Sequence, residues 1–173
     1  MRAFTVSAIT RENIKIFTLL LISGAVGLGL FMRCFTLGLP SAQFSGCLSY
    51  DVFLVSKIDS SVKRGGIYAV TLDRPLLGKI SAGAKLIKIV AAVGGDTVRI
   101  ESDGVWVNET TFYPVPLDVV ARHRHLNPAQ LKKTFTVPLG ELFLLGNTPI
   151  SYDSRFWGTI NEKNVIGRAF VLF

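Results

Sequence analysis

Read for the spacing of apolar and polar positions, the chain divides into one long apolar run and a series of short ones. Residues Ile16 to Met32 read IFTLLLISGAVGLGLFM without a charge, between Lys15 and Arg33. A helix over that run, at ~1.5 Å per residue and with snorkelling Lys15 and Arg33 included, approaches the ~30 Å hydrocarbon core of a bilayer. It predicts a single transmembrane helix. The run exceeds the h-region of a cleaved signal peptide, and no A-x-A-like site follows before Pro40, so an uncleaved signal anchor is expected. Arg2, Arg11 and Lys15 precede the span against Glu12, and after Arg33 no basic residue occurs until Lys57. The positive-inside bias then predicts residues 1–15 in the cytoplasm, 16–32 in the membrane and 34–173 outside, which in a bacterium is the periplasm.

After the anchor the period changes. VFLV (Val52 to Val55), IYAVTL (Ile67 to Leu72), LIKIVAAV (Leu86 to Val93), TVRI (Thr97 to Ile100), VWVN (Val105 to Asn108), LFLL (Leu142 to Leu145) and VIGRAFVLF (Val165 to Phe173) are β-branched or aromatic runs separated by Gly, Pro, Asp or Asn. Asp103-Gly104 between two of them predicts a hairpin with a type I′ turn, whose central residues both need positive φ. Helical spacing returns only briefly, near Pro128 to Lys133. The expected fold is mainly β: an antiparallel domain with a curled or barrel-like sheet, carried on a single N-terminal transmembrane helix.

Composition refines this reading in three ways. A length of 173 residues allows one core plus an appendage, and 49% hydrophobic against 18% charged residues agrees with a lipid-facing segment. The net charge of +7 admits nucleic acid or anionic lipid. The main basic patch, Arg122-His123-Arg124-His125 with Lys132 and Lys133, lacks interleaved stacking aromatics and falls outside the cytoplasm. It reads as a solvated loop facing lipid head groups or an acidic partner, with no nucleic acid expected. His123 and His125 lack further ligands, so neither a metal nor a cofactor is expected. Cys34 and Cys47 are too few for a disulfide scaffold.

Three places could carry chemistry. Period-2 alternation puts Lys88 on the face of Leu86 and Val90, among apolar side chains. Burial disfavours a charged ammonium, and a free amine is a general base. The plainer reading is an edge-strand lysine whose head reaches solvent. Lys85, on the opposite face, is the weaker candidate. The segment Ser41 to Asp51 (SAQFSGCLSYD) offers nucleophiles just before the first strand of the domain: the Cys47 thiol, and the hydroxyls of Ser45 and Ser49. Cys47 as a small buried hydrophobe, or paired with Cys34, is the alternative. Ser151-Tyr152-Asp153-Ser154-Arg155-Phe156-Trp157-Gly158 reads by itself as a turn with an Asp153–Arg155 ion pair.

These pieces, in this order, resemble the signal peptidase I superfamily of membrane-anchored Ser/Lys peptidases (peptidase family S26). The match rests on IKIVAAVGGDTV, in which the Asp of a Gly-Asp pair follows Lys88 by eight positions, as it follows the family's general base, and on the late box SYDSRFWG. The resemblance implies that Lys88 is the base, that Ser151 holds it, and that Asp153 and Arg155 support the site. It departs at the nucleophile, since the leader-peptidase string Ser-Met-x-Pro is absent. The TraF-type pilin-maturation branch of conjugative transfer has a pattern near Ser-x-Pro-x-Gly-Leu-Tyr. Laid over Cys47 to Phe53, it puts the serine on Cys47, the proline on Ser49 and the glycine on Asp51. That register implies a Cys47/Lys88 dyad, with Ser45 and Ser49 as alternative nucleophiles. A register anchored on Asp51 puts Ala42 at the nucleophile and implies an inactive protein.

On the first register the resemblance implies a peptidase of the inner membrane. Its partners would be a membrane-inserted pilin or preprotein, the lipid, and components of a conjugative type IV secretion apparatus. It would cleave its substrate, and cyclise it if the pilin's own amine resolves the acyl-enzyme. A general type I signal peptidase and a catalytically inactive component of a conjugative secretion system are the alternatives.

Overall fold

The computed structural model describes residues 11–39, 46–58, 61–76 and 80–173. It divides into two units, residues 1–34 and 35–173. The described part of the first is helix α1 (Arg11–Cys34), long and apolar enough by length and composition to cross a membrane. Glu12 lies in its first turn and Arg33 in its last, each matched to the helix dipole. The hydroxyls of Thr18 and Ser23 donate back to the carbonyls of Ile14 and Leu20, so neither polar group is left bare in the apolar run.

The second unit is mainly antiparallel β, as its alternating runs predict. In chain order its described strands are β1 (Phe35–Gly38), β2 (Phe53–Ser56), β3 (Ile67–Thr71), β4 (Lys85–Val93), β5 (Thr97–Ile100), β6 (Val105–Val107), β7 (Thr111–Tyr113), β8 (Lys133–Thr136), β9 (Glu141–Leu145), β10 (Ile160–Asn161) and β11 (Val165–Val171). Short helices α2 (Asp118–His123), α3 (Pro128–Leu131) and α4 (Ser154–Trp157) interrupt them. One sheet runs β1-β2-β11-β3-β4-β9-β10 and a second runs β7-β6-β5-β8. The larger sheet is open, with β1 and β10 at its edges, so the curled or barrel-like expectation does not extend to a closed barrel.

Strands β4 and β9 join the cores. Leu86 and Val90 of β4 and Leu142 and Leu144 of β9 pack with Tyr68, Val70 and Ile160 on one side. Ala91 and Ala92 of β4 and Phe143 and Leu145 of β9 pack with Val98, Ile100, Val105 and Val107 of the smaller sheet. The register between β4 and β9 shifts between Val90 and Ala92, a bulge that re-aims the strand so that it serves both cores.

The turn after β4 is fixed by Asp96, a buried carboxylate. It accepts from the Val93 N–H at 2.9 Å, from Asn108 Nδ2 at 2.9 Å and from Arg64 Nε at 2.9 Å, with the Arg64 guanidinium completing a bidentate pair. Burial alone would raise this carboxyl. The Val93 N–H, the Asn108 amide and the Arg64 charge outweigh it and hold the group below the usual carboxylate range.

The hairpin expected at Asp103-Gly104 forms, but its turn chemistry lies elsewhere. Neither residue takes a positive φ, and residues 101–104 make a wider loop closed by Glu101 N–H to the Gly104 carbonyl at 2.9 Å. Glycine is required at 104 by proximity, because a Cβ there would stand 2.2 Å from the Tyr113 carbonyl oxygen. The pair with positive φ is Asn108 (52°) and Glu109 (55°), spanned by Thr110 N–H to the Val107 carbonyl. This is the type I′ geometry, one strand later than predicted.

Replacing Asp96 by Asn should lower stability by about 1.5–3 kcal/mol at pH 7, the usual range for hydrogen bonds to a charged group. The folded carboxyl ionises more readily than the unfolded one, whose ordinary value is 3.8. Its contribution is therefore complete above that pH and is lost as pH falls through the lower folded value. Denaturant melts of the wild type and Asp96→Asn should differ most near neutrality and converge in acid.

Candidate active site

Lys88 lies in an interior strand, not at an edge. On β4 its backbone stands opposite Tyr68 of β3, while the following residues pair with β9. The side chain is 1% exposed, on the face that also buries Leu86 and Val90. The plainer reading of a lysine snorkelling to solvent is thereby excluded. A buried amine needs a partner, and Nζ donates to Ser151 Oγ at 2.8 Å. Lys85, three positions earlier on the strand, is exposed and lines the same pocket as Lys88.

Ser151 is carried by the turn between β9 and α4. Gly146 begins that turn, and a Cβ on it would lie 2.1 Å from the Cys47 carbonyl oxygen and 2.2 Å from Ser151 Oγ. The Gly146 N–H donates to Asp153 Oδ2 at 3.0 Å. Asp153 caps α4 by accepting from the Arg155 N–H, and its carboxylate takes Arg155 Nε and Nη2 at 2.8 and 2.9 Å. Both side chains of this ion pair are fully buried. The rest of the guanidinium is spent on backbone: Nη1 on the carbonyls of Val115 and Pro116, at 2.6 and 2.8 Å, and Nη2 on the Ser151 carbonyl at 2.9 Å. Arg155 thus ties the Ser151 turn to the chain that follows β7. Ser154 Oγ accepts the Leu144 N–H, which fixes α4 against β9.

Cys47 reaches the same place from the other side. A pocket of about 50 Å³ is lined by Cys47, Lys88, Leu48, Tyr50, Phe53 and Leu86, among others. Cys47 is half-buried and its thiol is free, as is that of Cys34. Ser49 is exposed and is not part of that wall. Ser45, like Ala42, lies outside the described residues. Of the predicted site residues, Cys47 and Lys88 therefore share one pocket, Ser151 contacts the lysine, and Asp153 with Arg155 braces the turn.

Two contributors were not read from the sequence. The Asn147 N–H donates to the Cys47 carbonyl at 3.2 Å, and its Oδ1 accepts the Ser49 N–H at 2.9 Å. Beside it, Thr148 Oγ1 donates to the Gly46 carbonyl. A Gly-Asn-Thr string after an apolar run carries no local sign of such a grip, since its partners lie about a hundred residues away.

The basic patch is separate from the pocket's described lining. His123 and His125 are exposed, and the Arg124 guanidinium stacks 4.2 Å from the centre of the Tyr152 ring.

A buried lysine on an apolar strand is thus held by a hydroxyl from the turn ahead of Asp153-Ser154-Arg155, and it lines a pocket that a free cysteine also lines. The family model described as signal peptidase, peptidase S26, matches residues 11–173, and the chain belongs to that family. Among curated relatives, a probable signal peptidase I-2 from Synechocystis is 29% identical over 144 residues, covering 78% of this chain and 61% of that protein. Signal peptidase I V of Bacillus subtilis is 33% identical over 90 residues, 47% of this chain and 54% of its own. The matched stretches thus span about three fifths or less of these relatives' lengths. A crystal structure of a signal peptidase I from Enterococcus faecalis V583 overlays with a TM-score of 0.42 at 25% identity, covering 65% of this chain and 97% of that one.

Removing one member of the buried pair leaves the other charge uncompensated. Arg155→Met should therefore destabilise the protein by about 3–5 kcal/mol. The urea midpoint of the full chain in detergent checks this, and a midpoint within error of wild type would show that the pair contributes nothing.

Proposed function

We propose that this chain is a membrane-anchored peptidase in which Cys47 is the nucleophile and Lys88 the general base. The carrying observation is the shared pocket: Cys47 and the buried Lys88 line the same small cavity, with Ser151 holding the lysine amine. In the first step the Cys47 sulfur attacks the scissile carbonyl while the Lys88 amine takes the thiol proton. Collapse of the tetrahedral intermediate breaks the peptide bond, Lys88 returns the proton to the leaving amine, and a thioester remains on Cys47. A second nucleophile, water or the substrate's own amine, resolves it. The amine route closes a ring and the water route releases a free acid. The cavity holds several times the ~10–15 Å³ that one water needs, which suits a small side chain beside the scissile bond.

The substrate class follows from the anchor. Helix α1, with basic residues ahead of its apolar run, supports a single-pass protein of the inner membrane, N-terminus inside and residues 34–173 in the periplasm. A preprotein whose own apolar segment lies in that membrane meets such a site. Within this class, the Cys47 register supports pilin maturation in a conjugative transfer apparatus. The relatives' names favour a general signal peptidase, which would use the same residues.

Cleavage of a membrane-inserted prepilin and of a generic preprotein by the full-length protein in detergent separates the two. Lys88→Ala should reduce kcat by about 10²–10⁴-fold, the range of general acid–base assistance, and Cys47→Ala, which removes the nucleophile, by at least as much. Ser45→Ala and Ser49→Ala should stay within a few-fold of wild type. Full activity of Cys47→Ala or Lys88→Ala would overturn the dyad. Turnover of neither substrate by the wild type would favour the inactive-component alternative.

A further inference from the structure

We propose that Asn147 is a positioning residue that sets the Cys47 thiol against the Lys88 amine. The proposal rests on the Cys47/Lys88 reading above and adds a residue that reading does not contain. Asn147 is bonded twice to the nucleophile segment, through its backbone N–H to the Cys47 carbonyl and through its side-chain oxygen to the Ser49 N–H. These bonds fall on either side of Leu48, which is buried with Phe53 and Val55. Leu48 is thus an anchor in the core, and Asn147 fixes the rotation of the backbone around it.

The other end of the same turn meets the base. Ser151, which accepts from Lys88, is closed onto Thr148 by its N–H bond to the Thr148 carbonyl at 3.2 Å. Thr148 in turn reaches the Gly46 carbonyl. The hydrogen-bonded path from thiol backbone to amine therefore runs through residues 147–151 and is only a few bonds long. Without the Asn147 oxygen the Ser49 N–H loses its partner, and the Cys47–Ser49 backbone is free to rotate about the Leu48 anchor. Catalysis by a dyad is steep in this geometry, since a ~1 Å misplacement of a reacting group can cost about 10²-fold in rate.

The experiment uses the full-length protein in detergent with Cys34→Ser, so that Cys47 is the single thiol. Asn147→Ala removes the acceptor and keeps the backbone bond, while Asn147→Asp keeps an oxygen at the same reach. Three quantities are read: kcat and KM for a preprotein substrate, the rate of Cys47 alkylation by iodoacetamide across pH, and the Tm. The alanine variant should lose about 10- to 100-fold in kcat with KM within threefold, and its alkylation profile should change shape as the amine withdraws from the thiol. The aspartate variant should recover to within about fivefold of the parent. If the alanine variant does not fold, Asn147→Ser, with an oxygen too short to reach Ser49, replaces it with the same expected loss.

Unchanged kcat and alkylation in the variant lacking the acceptor would overturn the proposal. So would a fall in activity that matches only the unfolded fraction, or an aspartate variant as poor as alanine. The underlying dyad is tested separately by Cys47→Ala in the same assay. Retained cleavage there sinks the dyad, whereas an inactive Cys47→Ala beside a fully active Asn147→Ala sinks only the role of Asn147.

Discussion

The hydrogen bond from Lys88 Nζ to Ser151 Oγ is the contact around which the second unit is arranged. An amine on an interior strand, with almost no exposure, cannot rely on water and must be met by a protein group. The hydroxyl that meets it comes from a turn, and a turn holds position only if something else fixes it. The Asp153–Arg155 pair does so from beneath. Its carboxylate takes the Gly146 N–H at the start of the turn, and its guanidinium takes the Ser151 carbonyl near the end and the carbonyls of Val115 and Pro116 beyond β7. An ion pair of this kind is a weak source of net stability, because desolvation offsets most of its attraction. Its value lies in the several backbone groups it orients at once.

From that turn the structure reaches outward in two directions. Through Gly146, Asn147 and Thr148 it holds residues 46–49, bringing a thiol to the pocket that the lysine lines. Through Arg155 it is bound to the chain leading from the smaller sheet, whose first strand follows the turn fixed by Asp96 after β4. The strand that carries the lysine and the strand that leads into the turn, β4 and β9, also build both cores. The site is therefore supported by the two strands that line both cores.

What could be read from the chain alone follows the range of each interaction. Period-2 alternation is local, so LIKIV was enough to place Lys88 among apolar side chains, although it left open whether the strand was interior. The Asp-Ser-Arg turn was visible as a turn with an internal ion pair for the same reason. Strands β1, β7, β8 and β10 leave little trace in the sequence because each is short and lies at a sheet edge, with few apolar residues to mark a period; β8 is Lys-Thr-Phe-Thr with one partly buried side chain. Asp103-Gly104 has the composition of a type I′ turn, but its glycine answers the approach of the Tyr113 carbonyl, a contact made by a later strand. Asn147 was invisible because its partners lie far away in sequence. The nucleophile is ambiguous in the sequence because the 41–51 segment offers one thiol and several hydroxyls. Cys47 lines the pocket that Lys88 lines and Ser49 does not, while Ser45 falls outside the described residues.

Trapping the intermediate tests whether the Cys47 sulfur attacks the substrate carbonyl with Lys88 as its base. The full-length protein would be mixed with a membrane-inserted preprotein, quenched in acid within one turnover, and mapped by mass spectrometry. An acyl group on Cys47, as a thioester released by neutral hydroxylamine, is the expected result for the Cys47/Lys88 dyad, and it should be absent from Lys88→Ala. An acyl group on Ser45 or Ser49, as an ester resistant to that treatment, would contradict it.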